Sequence, residues 1–286
     1  MERKFFVIFV EQTQNEKMKK IVMILMVFMG VIACKTNPFT GQKVLNFYPN
    51  SQIFPTAFAQ YDQFLEENKV ITGTEDARMI TKTGQRIAAA AERWLTANGY
   101  PGYLQDYKWE YNLVNDETVN AWCMPGGKIV FYTGILPICQ GETGVAVVMG
   151  HEVAHALADH GAQRMSAGAL QQLGAVAGNV AIQDEQKRSI FNQAYGIGSQ
   201  VGVMLPFSRS HETEADRIGL QIMAIAGYNP DEAAELWKRM KANSDGAAPP
   251  EFLSTHPSND TRIANLSQWA PLAKEEAAKF GVTSFE

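Results

Sequence analysis

Between Val145 and Ala158 an apolar, helix-forming run carries a single charge and two imidazoles in the pattern His151-Glu152-Val153-Ala154-His155. Residues i and i+4 of an α-helix are neighbours on one face, so both rings project together and can meet one metal ion, with Glu152 beside them. Five residues can equally be a buried structural histidine pair. The helical context, the small Ala154 and Ala156 and an acidic segment downstream favour the metal. Neutral imidazoles suit zinc, and a third protein ligand leaves a fourth position where water has its pKa lowered towards ~7. Glu152 then stands ready to take that proton and pass it to a leaving amine.

The third ligand is sought at 208–216, Ser-Arg-Ser-His-Glu-Thr-Glu-Ala-Asp, on another expected helix. Glu212 and Asp216 are i, i+4, so one can ligate while the other accepts a ring N–H and fixes the orientation of a histidine ligand. Glu214 is the competing ligand. None of the five histidines precedes residue 150. His160, five residues past His155, is rotated off its face and expected at a helix end on the surface. His211 is expected to point elsewhere, and Arg209 to order the loop before this helix.

Four ordered segments, GHEVAH, Ser208 to Asp216, Asn120 to Gly134 and Thr255 to Ile263, resemble the HtpX and prenyl (CAAX) endopeptidase family, a branch of the gluzincins, over roughly residues 76 to 270. The resemblance implies one zinc ion per chain on His151, His155 and Glu212, with Glu152 as general base and Asp216 as the histidine-orienting acid. It implies a zinc metalloendopeptidase of envelope proteins, acting in protein quality control. A chaperone-like binding module of the same fold that has lost hydrolysis is the other reading. Long apolar helices of the kind found in membrane-embedded members do not flank these motifs.

The N-terminus sets the expected address. Ile21 to Ala33 is thirteen residues without a charge, preceded by Lys17, Lys19 and Lys20. A membrane span needs about 20 apolar residues and a signal peptide about 7 to 15. Val31-Ile32-Ala33-Cys34 resembles a lipobox, with Cys34 as the lipidated residue, and a short uncleaved anchor is the alternative. Residues 1–33 are thus expected to be a signal peptide whose true start is Met18. The expected address is the bacterial cell envelope, through an N-terminal lipid anchor, with the catalytic domain in the periplasm and the anchor in the outer membrane. With 25 Lys and Arg against 30 Asp and Glu, and no basic window, a nucleic-acid partner is not expected.

Residues 34–75 are expected to be a lipidated terminus and tether, with little regular structure over 35–56, and 76–286 the metallopeptidase domain. A helix is expected over 76–97, strands over 107–114 and 128–132, and helices near 141–162, 166–200, 211–226, 230–242 and 258–282. The fold class is α+β, a mainly helical zincin-like domain whose small sheet offers an edge strand beside the metal helix. Asn120, Ala121, Gly126, Gly127, Lys128 and Ile129 are expected to bind substrate by strand addition along that edge. His256 and Arg262 are candidates to stabilise an oxyanion. His256 can instead ligate zinc in a resting state or cap a helix, and Arg262 can instead form a salt bridge that holds the last helix. Cys123 and Cys139 either pair in an oxidising compartment or stay apart. Segment 161–207 is either a lid over the cleft or two ordinary packing helices.

Overall fold

The computed structural model describes residues 34–243, 251–257 and 259–286. The signal sequence expected over 1–33 lies outside them. The chain is mainly helical with small sheets, the α+β class expected. The stretch 35–56 is more regular than its sequence suggests. β1 (Cys34–Thr36) and β2 (Lys43–Leu45) pair as an antiparallel hairpin, and α1 (Asn50–Glu67) follows. Aromatic side chains with no periodicity of their own do this by docking on the core. Phe39 stacks on Trp94 at 4.4 Å between ring centres, and Phe54 meets Tyr107 edge-on at 5.2 Å.

After β3 (Val70–Ile71), α2 (Glu75–Ala97) begins where Thr74 accepts a hydrogen bond from the Ala77 N–H and Glu75 and Asp76 occupy the first turn. Its apolar stripe, Ile80, Ile87, Ala91 and Trp94, is buried. β4 (Glu110–Val114), β5 (Ala121–Met124) and β6 (Lys128–Tyr132) complete a four-stranded sheet in the order β3-β4-β6-β5.

That order corrects the expected substrate strand. β6 lies inside the sheet, parallel to β4 and antiparallel to β5, so the edge is Ala121–Met124. Lys128 is buried and pairs with Glu110 at 2.7 Å, while the Ile129 carbonyl accepts from the Tyr61 hydroxyl at 3.0 Å. Gly126 and Gly127 take positive φ at +85° and +87°, and a Cβ on Gly127 would lie 2.6 Å from the Trp109 ring. Their carbonyls accept from Lys108 and Glu110 N–H groups. These four residues are therefore committed to the sheet. Asn120 is likewise buried, its side chain accepting from the Ala121 N–H at 2.9 Å. Cys123 and Cys139 stand as separate thiols. Cys123 donates to the Met124 carbonyl, and burial pushes Cys139, at the end of α3 (Leu136–Cys139), up to about 12.

The centre of the molecule is the crossing of α4 (Glu142–Leu157) with α7 (Leu205–Ile225). Gly150 and Gly219 set their distance. A Cβ on Gly219 would fall 2.7 Å from the Gly150 carbonyl carbon, and one on Gly150 would fall 2.9 Å from the Gly219 oxygen. Gly219→Ala is expected to force the helices apart and to destabilise the protein by about 1–3 kcal/mol, the usual cost of overpacking. Equilibrium unfolding in denaturant measures this, and a parent-like midpoint would mean that the crossing has slack. Between the two helices run α5 (His160–Ala181) and α6 (Glu185–Ser199), the latter continuing through a π-turn (Gln200–Met204) into α7. α8 (Glu232–Asn243), α9 (Glu251–Thr255) and α10 (Asp260–Ala278) close the core.

Candidate metal centre

His151 and His155 leave the same face of α4, as their spacing requires, and the glycine contact brings α7 close enough for Glu212 to reach both. His155 Nε2 and His151 Nε2 are 3.1 Å apart. The Glu212 carboxylate lies 3.4 Å from the first-named face ring His151 and 3.3 Å from His155. A fourth donor comes from just beyond α9. His256 Nδ1 is 3.1 Å from His151 Nε2 and 2.8 Å from Glu212 Oε2. Ligand atoms of His151, His155, Glu212 and His256 all lie within 4.8 Å of one another, and all four residues are buried.

This donor set fits a metal ion. Ring nitrogens that face one another at hydrogen-bond distance, with a carboxylate between them, offer lone pairs converging on one point. The outward ring nitrogens are engaged elsewhere, which leaves the inward ones as acceptors. His151 Nδ1 donates to Asp216 at 2.9 Å. His155 Nδ1 is 2.9 Å from His160 Nδ1, whose other nitrogen is 3.2 Å from Glu214. Glu152 completes the centre: it is buried, its Oε1 has no hydrogen-bond partner, and His256 Nε2 is 3.5 Å away.

Electrostatics without a metal follow from this crowding. Burial opposes charge on His151, yet hydrogen bonds to Asp216 and Glu212 lift it to about 9. Burial holds His155 well below the ordinary imidazole value. Burial also works against the Glu212 carboxylate, but His151, His155 and His256 reverse that and keep it far below the usual range. Glu152 is raised, first by burial, which is the direction expected of a carboxylate that accepts a proton near neutral pH.

One expected position differs. His160 is completely buried, not a surface residue at a helix end. Helical-wheel reasoning fails because α4 stops at Leu157, Asp159 turns through the left-handed region at φ 56°, and a new helix starts at His160. The break folds the ring back onto His155. His211 is buried too and stacks on His160 at 4.0 Å between ring centres, with burial lowering its pKa to about 3. Glu214 binds His160 and Asn37 and lies outside the donor cluster. Arg262 is held by Asp216 through two hydrogen bonds of 2.7 and 2.6 Å and packs 3.4 Å over the Trp237 ring. The same guanidinium also faces the donor cluster, its Nη1 lying 3.4 Å from Glu212 Oε2, and Trp237 is a supporting residue that no motif announced.

If His160 orients His155, His160→Ala is expected to weaken metal affinity by about 10–100-fold, the usual effect of losing an outer hydrogen bond to a ligand. Competition with a zinc-sensitive chelator reads this directly. An unchanged affinity would make the contact one of packing alone. A cavity of about 150 Å³ beside His155 is lined also by Cys123, Met124, Pro125 and Asp159, so the end of edge strand β5 opens towards the donor cluster. Cys34, the expected lipidation site, is exposed at the start of β1.

A model of peptidase family M48 matches residues 81–270. Mitochondrial metalloendopeptidase OMA1 of Saccharomyces cerevisiae is 41% identical over 179 residues, covering 60% of this chain and 50% of the relative. The same-named protein of Schizosaccharomyces pombe is 37% identical over 172 residues, with 60% and 49% covered. The β-barrel assembly-enhancing protease of Escherichia coli is 27% identical over 179 residues, covering 59% of this chain and 36% of that one. The chain spans about half the length of the two yeast relatives. These names place the resemblance at family level and do not single out the HtpX and prenyl endopeptidase branch. They also overturn the expected address in a bacterial envelope, lipid-anchored with a periplasmic domain, because the OMA1 relatives of fungi, plants and animals are mitochondrial by name.

Proposed function

Because the chain belongs to peptidase family M48, we propose that it is a zinc metalloendopeptidase whose substrates are proteins or peptides. The observation that carries this reading is Glu152, whose buried Oε1 has no hydrogen-bond partner beside four converging ligand atoms. His151, His155 and Glu212 hold the ion. Asp216 and His160 keep the two imidazoles turned towards it. When bound, zinc supplies a Lewis acid that polarises a carbonyl and acidifies water. Glu152 takes the proton and returns it to the leaving amine, a task suited to a carboxylate whose pKa burial has raised.

His256 sits within the donor set, where a substrate carbonyl would otherwise approach. It would therefore be able to ligate the ion in a resting state. An extended peptide adds to the free side of β5, over Ala121 to Met124, and reaches His155 through the adjoining cavity. Backbone hydrogen bonds then supply affinity with little demand on sequence. The envelope-protein role expected from the sequence reduces here to protein or peptide substrates of unspecified origin.

Casein cleavage tests the reading. Activity is expected with one zinc ion per chain, lost in a chelator and restored by added zinc. Full-rate cleavage by metal-stripped protein would overturn the metal mechanism. Zinc-loaded protein that binds unfolded chains without cutting casein would favour the chaperone-like module.

A further inference from the structure

Ten of the eleven large hydrophobic side chains that stand exposed among the described residues fall between Met165 and Leu205, on the α5–α6 hairpin and the turn after it. No Asp, Glu, Lys or Arg occurs between Arg164 and Asp184, nor between Arg188 and Arg209. The charges gather at the tip, at Asp184, Glu185, Lys187 and Arg188, and at the base. Leu173, Val176 and Val180 share one face of α5 at helical spacing. Ile190, Ile197 and Val201 do the same on the returning arm, and these six side chains are 54–70% exposed.

The inward face is the polar one. The Tyr195 hydroxyl donates to the Gln171 carbonyl at 3.0 Å, Gln171 Nε2 to Ser199 Oγ at 2.7 Å, and Asn192 Nδ2 to Asn179 Oδ1 at 2.9 Å. Gly174 and Gly178, spaced G-x-x-x-G, let the arms close. A Cβ on Gly174 would lie 2.2 Å from the Tyr195 hydroxyl, and one on Gly178 would lie 2.1 Å from the Phe191 ring. A helix pair in water buries its apolar side and shows its polar side. Small residues and side-chain hydrogen bonds between helices, with aliphatic groups outward, are the packing of helices surrounded by hydrocarbon.

The sequence before the described residues points to the same surroundings. Its thirteen uncharged residues Ile21 to Ala33, behind Lys17, Lys19 and Lys20, lead directly into Cys34. Cys34 opens β1, and its partner strand β2 runs on to Phe47, whose N–H donates to Ser166 Oγ on α5 at 2.9 Å. The apolar run thus enters the described chain at the base of the hairpin. No described helix is long and apolar enough to cross a membrane.

We propose that the hairpin 165–205 is a membrane-docking element, which lays the aliphatic faces of both arms into the boundary between headgroups and acyl chains of a lipid bilayer. Its tip charges stay at headgroup level, and the polar contacts between its arms are kept. The surface is independent of hydrolysis at the metal centre.

Hydrogen exchange of the full chain, with and without vesicles of neutral phosphatidylcholine, tests this. Vesicles are expected to slow exchange at least tenfold across 165–205, while α2 and α8 are unchanged. Val176→Glu/Val180→Glu/Ile197→Glu, all at exposed positions, is expected to abolish that protection while keeping the parent melting temperature and zinc content. Because 21–33 can bind lipid alone, flotation is only a control for vesicle attachment. Attached protein whose hairpin exchanges as fast as in solution would overturn the proposal. So would protection that grows with protein concentration in the absence of vesicles, which would assign the surface to a second copy of the chain.

Discussion

Glu152→Gln is expected to keep the zinc ion and lose turnover by at least about 10²–10⁴-fold, the range supplied by a positioned proton-transfer group. Glutamine preserves the shape of a side chain buried beside the donor cluster but cannot take a proton. Stability separates chemistry from folding. Burial raises the Glu152 pKa, so the folded state disfavours its charge, and that cost appears as pH rises past the ordinary carboxyl value of about 4.3. The neutral amide removes the cost. Metal-free Glu152→Gln is therefore expected to melt no lower than the parent at pH 7. Casein turnover, zinc content and melting temperature, measured together, decide the matter. Retained turnover would remove Glu152 as the base, and a large loss of zinc or stability would make it structural.

Glu212→Gln is expected to weaken zinc binding by more than the ~10–100-fold typical of an outer contact, while Glu214→Gln stays within that range. Both acids lie on α7 two residues apart, yet only Glu212 reaches the donor cluster, because Glu214 points to His160 and Asn37. The metal-free protein responds as well. Despite burial, three imidazoles hold the Glu212 pKa below its ordinary value, so its charge contributes stability that is present above about pH 4.3 and fades as pH falls below it. Metal-free Glu212→Gln is thus less stable than the parent at pH 7, with a gap that narrows in acid. Zinc titration of both variants gives the ranking. The reverse order would make Glu214 the ligand.

Where local chemistry decides structure, the sequence was readable. The helix expected over 76–97 forms as α2, and the strand Lys128–Tyr132 has the expected bounds. Its place in the sheet is another matter. β6 pairs in parallel with β4, a non-local choice that moves it to the interior and gives the edge to β5. Residues 34–56 show the same limit from the other side, since Phe39 and Phe54 take structure from rings far along the chain.

The sequence by itself determined the donor types at the metal centre and the face they share. His151, Glu152 and His155 are placed by the pitch of one helix, and Glu212 and Asp216 by that of another. Tertiary structure decided how these two faces meet, through a crossing that only Gly150 and Gly219 permit. It also decided what stands behind the ligands. The left-handed break at Asp159 turns His160 from an expected surface residue into the neighbour of His155, and the approach of α10 gives Arg262 to Asp216. Spacing along a helix is a local property and survives without the fold, whereas contact between helices depends on backbone approach and breaks that no single segment encodes.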